Sequence, residues 1–263
     1  MFTVAASEGK VVNVKRADGV QSRRVDYIGS PGLIDANPQA FLVDRLYPGA
    51  RIPPHFHDID QFQVVVDGDC SMGKKNAAPV TFQYADAYTP YGPIVGPEKG
   101  FAFFTLRQIA SGGFFGMPGN RHNMPGRAGR NIAGHFDTDR PRPPVGATER
   151  EPLMDAADDG VFAAGLRLGP GAVATGPVSD GGGQYYLVCE GAATSDGKAL
   201  ERRSLIHIAP GETPPTFEAG AEGADILILQ FGRPSARPGS DPAERATRDP
   251  DAYVRRPETP TAQ

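Results

Sequence analysis

The stretch Gly49-Ala50-Arg51-Ile52-Pro53-Pro54-His55-Phe56-His57-Asp58-Ile59-Asp60-Gln61-Phe62-Gln63-Val64-Val65-Val66-Asp67-Gly68 decides the fold of this 263-residue chain. Two histidines one residue apart point the same way on a β-strand, where successive side chains alternate between faces. His55 and His57 can therefore bring both imidazoles to one point, with Phe56 on the opposite face. Gln61, after a short turn, can converge on that point from the neighbouring strand. Parity carries Arg51 and Pro53 to the histidine face and puts Gln61, Gln63 and Val65 on one face of the next strand. Phe101, Phe103, Thr105 and Arg107 share a face of a later strand by the same rule. A hollow lined by imidazoles, amides, guanidiniums and aromatic rings suits a small-molecule site.

The rest of the composition agrees with a β protein. The 33 glycines and 26 prolines supply turns for many short strands, while 39% apolar residues can build a sizeable core. Short β-favouring runs bounded by Gly, Pro or Asp fall at 41–47, 62–66, 80–84 and 101–106, then at 165–168, 185–189, 204–208 and 225–231. A net charge of −4 recommends neither nucleic acid nor an anionic membrane as a partner. No apolar stretch approaches the roughly 20 residues that span a bilayer. The first ten residues lack a basic segment followed by an apolar one, and Cys70 and Cys189 are too few for a disulfide framework. The expected setting is cytoplasmic, with both thiols reduced.

The second half repeats the first. Arg45-Leu46-Tyr47-Pro48-Gly49 is answered by Arg167-Leu168-Gly169-Pro170-Gly171, 122 positions on. Gln61 to Gly68 is answered by Gln184-Tyr185-Tyr186-Leu187-Val188-Cys189-Glu190-Gly191, 123 positions on. The extra residue falls in the turn at 179–183. Tyr84 to Pro90 resembles Ser204 to Pro210, 120 positions on. Matched order, spacing and turn residues indicate duplicated structure. Pro177 and Ser179 stand where His55 and His57 stand in the first copy, and His207 falls on a different strand. The second copy is expected to be structural.

The spacing of Gly49, His55, His57, Gln61 and Gly68 resembles the first signature motif of the cupin superfamily, with Gln61 in place of that motif's Glu. The second motif, Pro-x-Gly-x-x-His, falls on Pro90-Tyr91-Gly92-Pro93-Ile94-Val95, with Val95 where the histidine stands. The resemblance implies an all-β chain of two tandem jelly-roll barrels, a bicupin whose second barrel is degenerate. The expected divisions are a first barrel over 1–115, a Gly/Pro/Arg-rich linker over 116–160, a second barrel over 161–232 and a polar tail over 233–263. The linker is expected to pack across the barrels or to form part of a pocket lid. Asp241-Pro242-Ala243-Glu244 reads as a helix start, and the end beyond Pro257 is expected to fray.

Two chemistries fit the site, and the resemblance to cupin dioxygenases puts a metal-dependent, dioxygenase-type enzyme acting on a small organic anion first. In one, His55, His57 and Gln61 hold a divalent metal, with Fe(II) favoured by the resemblance to cupin dioxygenases and Mn, Ni, Cu or Zn equally served by imidazole. Replacing a carboxylate ligand by an amide leaves the ion its full charge, which favours an anionic substrate. In the other, no metal is bound. His55 or His57 then acts as a general base of an isomerase, epimerase or cyclase, or the histidines simply hydrogen-bond in the cavity of a non-catalytic binding protein. Arg51, Gln63, Tyr91, Phe103 and Arg107 are the expected substrate contacts, Arg51 as a possible bidentate clamp on a carboxylate. Tyr84 and Tyr88 are secondary proton-donor candidates, and His122 or His135 could supply a missing ligand. The arginines at 121, 127, 130, 140 and 142 resemble an anion patch, though acids at 149, 151, 155, 158 and 159 nearly cancel them. A small-molecule substrate and a homodimer are the expected partners.

Overall fold

The computed structural model describes residues 1–15, 21–31 and 38–243. Two antiparallel sheets dominate. In the first, the strands run Asn131–His135, Thr81–Ala85, Gln61–Gly68, Phe101–Arg107, Gln39–Arg45, Gln21–Ile28, Lys10–Lys15 in spatial order. Strand neighbours that are distant in sequence are the mark of Greek-key connection. A smaller sheet of Ala50–Ile52, Ile94–Gly96, Cys70–Met72 and Lys75–Ala77 faces it. The eight-stranded sheet of the second half is centred on Gln184–Ser195 and Thr216–Gln230.

Period-two alternation sorts each central strand between two cores. From Gln61–Gly68, Phe62, Val64 and Val66 join Tyr185, Leu187 and Cys189 of the second half in one shared apolar cluster. Val65, on the other face, packs with Ile52, Met72, Ile94, Phe101 and Phe103 inside the first half. In the second half Tyr186 and Val188 turn the opposite way, into a cluster with Leu166, Ile206 and Phe217. The two large sheets thus bury their outer faces on each other. A one-residue slip in either central strand would exchange the two sets.

The two halves share a close backbone approach. Gly68, at φ +71°, lies where a Cβ would stand 2.1 Å from the carbonyl oxygen of Gly100; Gly191, at φ +72°, meets Gly223 at the same 2.1 Å. Any side chain at either position would collide with backbone and would also strain an already left-handed conformation.

Strands outside the central ones join the two halves. Phe2–Val4 pairs with Leu205–Ile208 and so lies in the sheet of the second half. The stretch 116–160 contributes two edge strands: Asn131–His135 extends the first sheet beside Thr81–Ala85, and Thr148–Met154 extends the second beside Phe162–Leu168. Its arginines are mostly paired rather than gathered into an anion patch. Arg130 binds Asp86 and Asp159, Arg140 binds Glu149 and Glu151, and Arg142 binds Asp225. Asp241 accepts a hydrogen bond from Ala243 N at 2.8 Å, the N-cap expected there, and Pro242 and Ala243 are helical. The remainder of that helix and the end beyond Pro257 lie outside the described residues. No helix among the described residues is long and apolar enough to cross a membrane.

Candidate functional site

His55–Phe56 forms a two-residue strand paired with Phe115–Gly116, and His55 also bridges Tyr91. Phe56 faces away and stacks on Phe115 at 5.0 Å, so the expected split of His55 and His57 from Phe56 holds. The imidazole centroids lie 5.1 Å apart with planes at 86°. Phe114 stacks on His55 at 4.1 Å, and Tyr91 meets it edge-on at 4.5 Å. Phe114 is itself 48% exposed, so it caps the pair from the solvent side.

Each imidazole is oriented through Nδ1. His55 Nδ1 lies 2.8 Å from Pro53 O, and His57 Nδ1 lies 2.6 Å from Gly113 O. A carbonyl only accepts, so in the neutral ring the proton resides on Nδ1 and Nε2 carries the lone pair. The segment holding His57 is in turn fixed by Asp58, whose carboxylate accepts from Ser111 Oγ at 2.7 Å and Gly112 N at 2.9 Å. Both rings are kept neutral. Burial pushes the pKa of His55 down to about 4, and the nearby Arg107 charge adds to the fall. His57 is driven well below the usual imidazole range by burial, then by Arg107 and His55.

Arg107 is the pivot of the polar interior. It is buried, its Nη1 donates to Gln39 Oε1 at 2.8 Å, and its Nε and Nη2 both donate to Gln61 Oε1 at 3.2 Å. The guanidinium lies 5.5 Å from the Phe41 ring centroid. No carboxylate among the described residues lies within ion-pairing distance of it. Burial presses its pKa down to about 10, which leaves it charged at neutral pH. On the other side of the amide, Gln61 Nε2 donates to Tyr91 OH at 2.5 Å, and Gln63 Nε2 reaches the same hydroxyl at 3.3 Å.

The sequence-derived site is therefore mostly assembled: His55, His57, Gln61, Gln63, Tyr91 and Arg107 come together, and Phe103 packs in the adjoining apolar wall. Arg51 does not join it. Ala50 and Ile52 are buried while Arg51 is exposed opposite Val95, because the bend at Pro53-Pro54 breaks the alternation before His55. The parity that placed Arg51 beside the histidines required an unbroken strand. Val95 likewise faces outward from its strand, so the second motif reaches the site through Tyr91 instead. His122 and His135 are both exposed, the latter opposite Thr81 on an edge strand. Tyr84 donates to Asp60 and lies in the core between the sheets. Gln39 and Gln83 are absent from the sequence expectation, although strand parity with Phe41 and Val43, and with Ala85, puts them on the interior face.

Whether these residues suit a divalent ion turns on the third donor. The two Nε2 atoms have the right tautomer, since metal-bound imidazoles commonly donate their other nitrogen to a carbonyl or carboxylate. Gln61, however, points its oxygen at Arg107. Among the described residues no cluster of three His, Cys, Asp or Glu side chains is placed to hold a metal. A catalytic centre typically has three protein ligands, and here a guanidinium with no directly paired carboxylate sits beside the two available. As arranged, the residues do not fit a divalent cation.

No family model and no curated protein matches the chain. Solved structures do. A protein from Nostoc punctiforme, provisionally assigned as a dioxygenase, superposes with a TM-score of 0.55 at 10% identity, over 84% of this chain and 77% of that one. Vicilin from hazelnut, Corylus avellana, gives 0.52 at 13% identity over 87% and 84%. Salicylate 1,2-dioxygenase from Pseudaminobacter salicylatoxidans gives 0.52 at 15% identity over 83% and 75%. At such identities the likeness concerns fold, and that fold is the cupin jelly roll.

Proposed function

We propose that the chain binds a small organic anion inside its first half, with the ligand's carboxylate as a direct ion-pair partner of Arg107, and that the neutral His55–His57 pair exchanges a proton with it. The carrying observation is the buried, charged Arg107, whose guanidinium hydrogen-bonds only to two neutral glutamines and feels the Asp58 carboxylate only through space, next to two imidazoles whose Nε2 atoms are acceptors. A buried charge without a direct ion-pair partner is costly, and an anionic ligand relieves that cost. Binding also strengthens the base. The Arg107 charge lowers both histidine pKa values, and pairing it with a carboxylate removes much of that effect. A proton taken from the carbon beside the carboxylate goes to Nε2, while the C–H electron pair moves into the carboxylate as an enolate facing Arg107. Return of the proton from the imidazolium to the opposite face of that carbon completes an epimerisation, and its delivery to another carbon conjugated with the enolate completes an isomerisation.

The second reading is a metal-dependent, dioxygenase-type cupin using His55 and His57, with Fe(II) first among the candidate ions. Two observations favour it: the Nε2 lone pairs of both rings, and the dioxygenase names carried by fold neighbours. A ligand atom would have to complete the coordination. In either reading the chain is taken as a bicupin over 1–115 and 161–232 whose second barrel lacks the histidine pair, acting in the cytoplasm on a small molecule and free to dimerise.

Two measurements decide. Protein purified without tag or chelator is analysed for metals, and a panel of carboxylates is incubated with it in D2O and followed by NMR. Deuterium entering at the carbon beside the carboxylate, and lost in Arg107→Gln, is the expected result. One equivalent of metal that disappears in His57→Ala would overturn the metal-free reading in favour of the second.

A further inference from the structure

Gln63 and Gln83 face each other in direct register on neighbouring strands, so their side chains leave the sheet side by side on its inner face. Both are buried, at 3% and 5% exposure. Gln63 spends its Nε2 on Tyr91 OH, but its Oε1 has no hydrogen-bond partner among the described residues; Gln83 Nε2 has none either. The two loose ends are complementary in kind, one acceptor and one donor, yet they do not satisfy each other. Leaving a buried amide atom unpaired costs on the order of 1–3 kcal/mol. Their neighbours on the inner face are Gln61, which holds Arg107, and Thr105, the register partner of Gln63.

We infer that the ligand of this site is a hydroxy-carboxylate: its carboxylate meets Arg107 and its hydroxyl fills the gap between Gln63 and Gln83. A hydroxyl is the smallest group that donates and accepts at one atom. It gives its proton to Gln63 Oε1 and takes one from Gln83 Nε2, so both orphaned atoms are satisfied at once. A methylene in the same place would leave both unpaired. Gln83 is thereby a specificity-determining residue, remote in sequence from the histidine motif and joined to it by strand register. The inference rests on the proposed anion site, because the carboxylate end is anchored by Arg107.

Binding is measured by calorimetry with matched pairs: lactate against propionate, 3-hydroxybutyrate against butyrate, and 3-hydroxybenzoate against benzoate. In the wild-type protein at least one hydroxy acid is expected to bind ten-fold or more tightly than its deoxy partner. That ratio should collapse towards one in Gln83→Leu and in Gln63→Leu, while Arg107→Gln weakens both members of the pair alike. Equal binding of both members to the wild type, with loss in Arg107→Gln, overturns the hydroxyl assignment and leaves the anion site standing. A preference that survives both glutamine substitutions overturns it too. If none of the six acids binds, the anion site falls and the hydroxyl assignment with it. The wild-type ratio needs no variant to fold, and near-ultraviolet circular dichroism identifies any variant that does not.

Discussion

Arg237 clasps Asp60 with both arms of its guanidinium, Nη1 to Oδ1 at 2.8 Å and Nη2 to Oδ2 at 2.6 Å. Asp60 is nearly inaccessible and lies in the turn joining His57 to Gln61, where it also accepts from Tyr84 OH and Ala87 N. A residue of the tail thus braces the turn that presents both sides of the candidate site. Burial raises the Asp60 pKa, and the Arg237 hydrogen bonds work against that rise.

Arg237→Ala is therefore expected to destabilise the protein by roughly 3 kcal/mol, the usual consequence of stranding one partner of a buried pair. The loss should depend on pH. A carboxyl whose folded pKa lies above its unfolded value costs stability as pH rises through it, so the defect should be larger at pH 8 than at pH 5. Adding Asp60→Asn should recover part of it. Urea midpoints at the two pH values test this, and a defect equal at both would mean that the unpaired carboxylate is not its cause.

Arg107 and His55 are coupled through space rather than by a bond. Removing the guanidinium charge with Arg107→Gln should raise the His55 pKa from its value of about 4, while burial alone keeps it below the ordinary imidazole value. Titration of the imidazole nitrogens by NMR reads this directly. A His55 pKa unchanged in the variant would show that burial accounts for the whole depression, and that ligand pairing with Arg107 cannot strengthen the base.

Alternation along Gln61 to Gly68 is sufficient to assign the inner and outer faces of that strand, and Gly68 and Gly191 stand at matching close approaches in the two halves. The failures share a cause. Arg51 was assigned by carrying parity through Pro53-Pro54, where the chain bends and the phase is lost. The crossing of Phe2–Val4 to the distant sheet leaves no local signal, since a strand's partner is set by topology rather than by its own residues. Arg107 was legible as an inward residue, but not as a charge without a directly bonded carboxylate; that needs knowledge of every side chain around it.

His207 and His55 make the fold sensitive to acid. His207 is buried between Tyr185 and Phe2, with Nδ1 lacking a hydrogen-bond partner among the described residues, and burial pushes its pKa down to about 4. An imidazole that ionises less readily folded than unfolded contributes stability that is complete above about pH 6.5 and is lost as pH falls towards 4. Each such group can cost up to about 3 kcal/mol across that window. His207→Phe should flatten the decline of stability between pH 6.5 and 4 without changing it above pH 7. A slope identical to that of the wild type would assign acid sensitivity to other groups.

Gln61→Glu separates the two readings of the site most sharply. It restores the carboxylate that the cupin motif carries, so a metal-poor site that merely lacked its third ligand should gain metal. The geometry leads to a different expectation. Gln61 Oε1 already accepts two hydrogen bonds from Arg107, and a carboxylate there becomes the guanidinium's own counter-ion at charge-assisted strength. The variant should then take up no metal and bind carboxylates at least ten-fold more weakly than wild type, because the ligand must compete with a built-in anion. Elemental analysis and calorimetry on the same preparation give both numbers. Metal uptake near one equivalent, with anion binding undiminished, would place Arg107 outside the ligand site and return the histidine pair to metal chemistry.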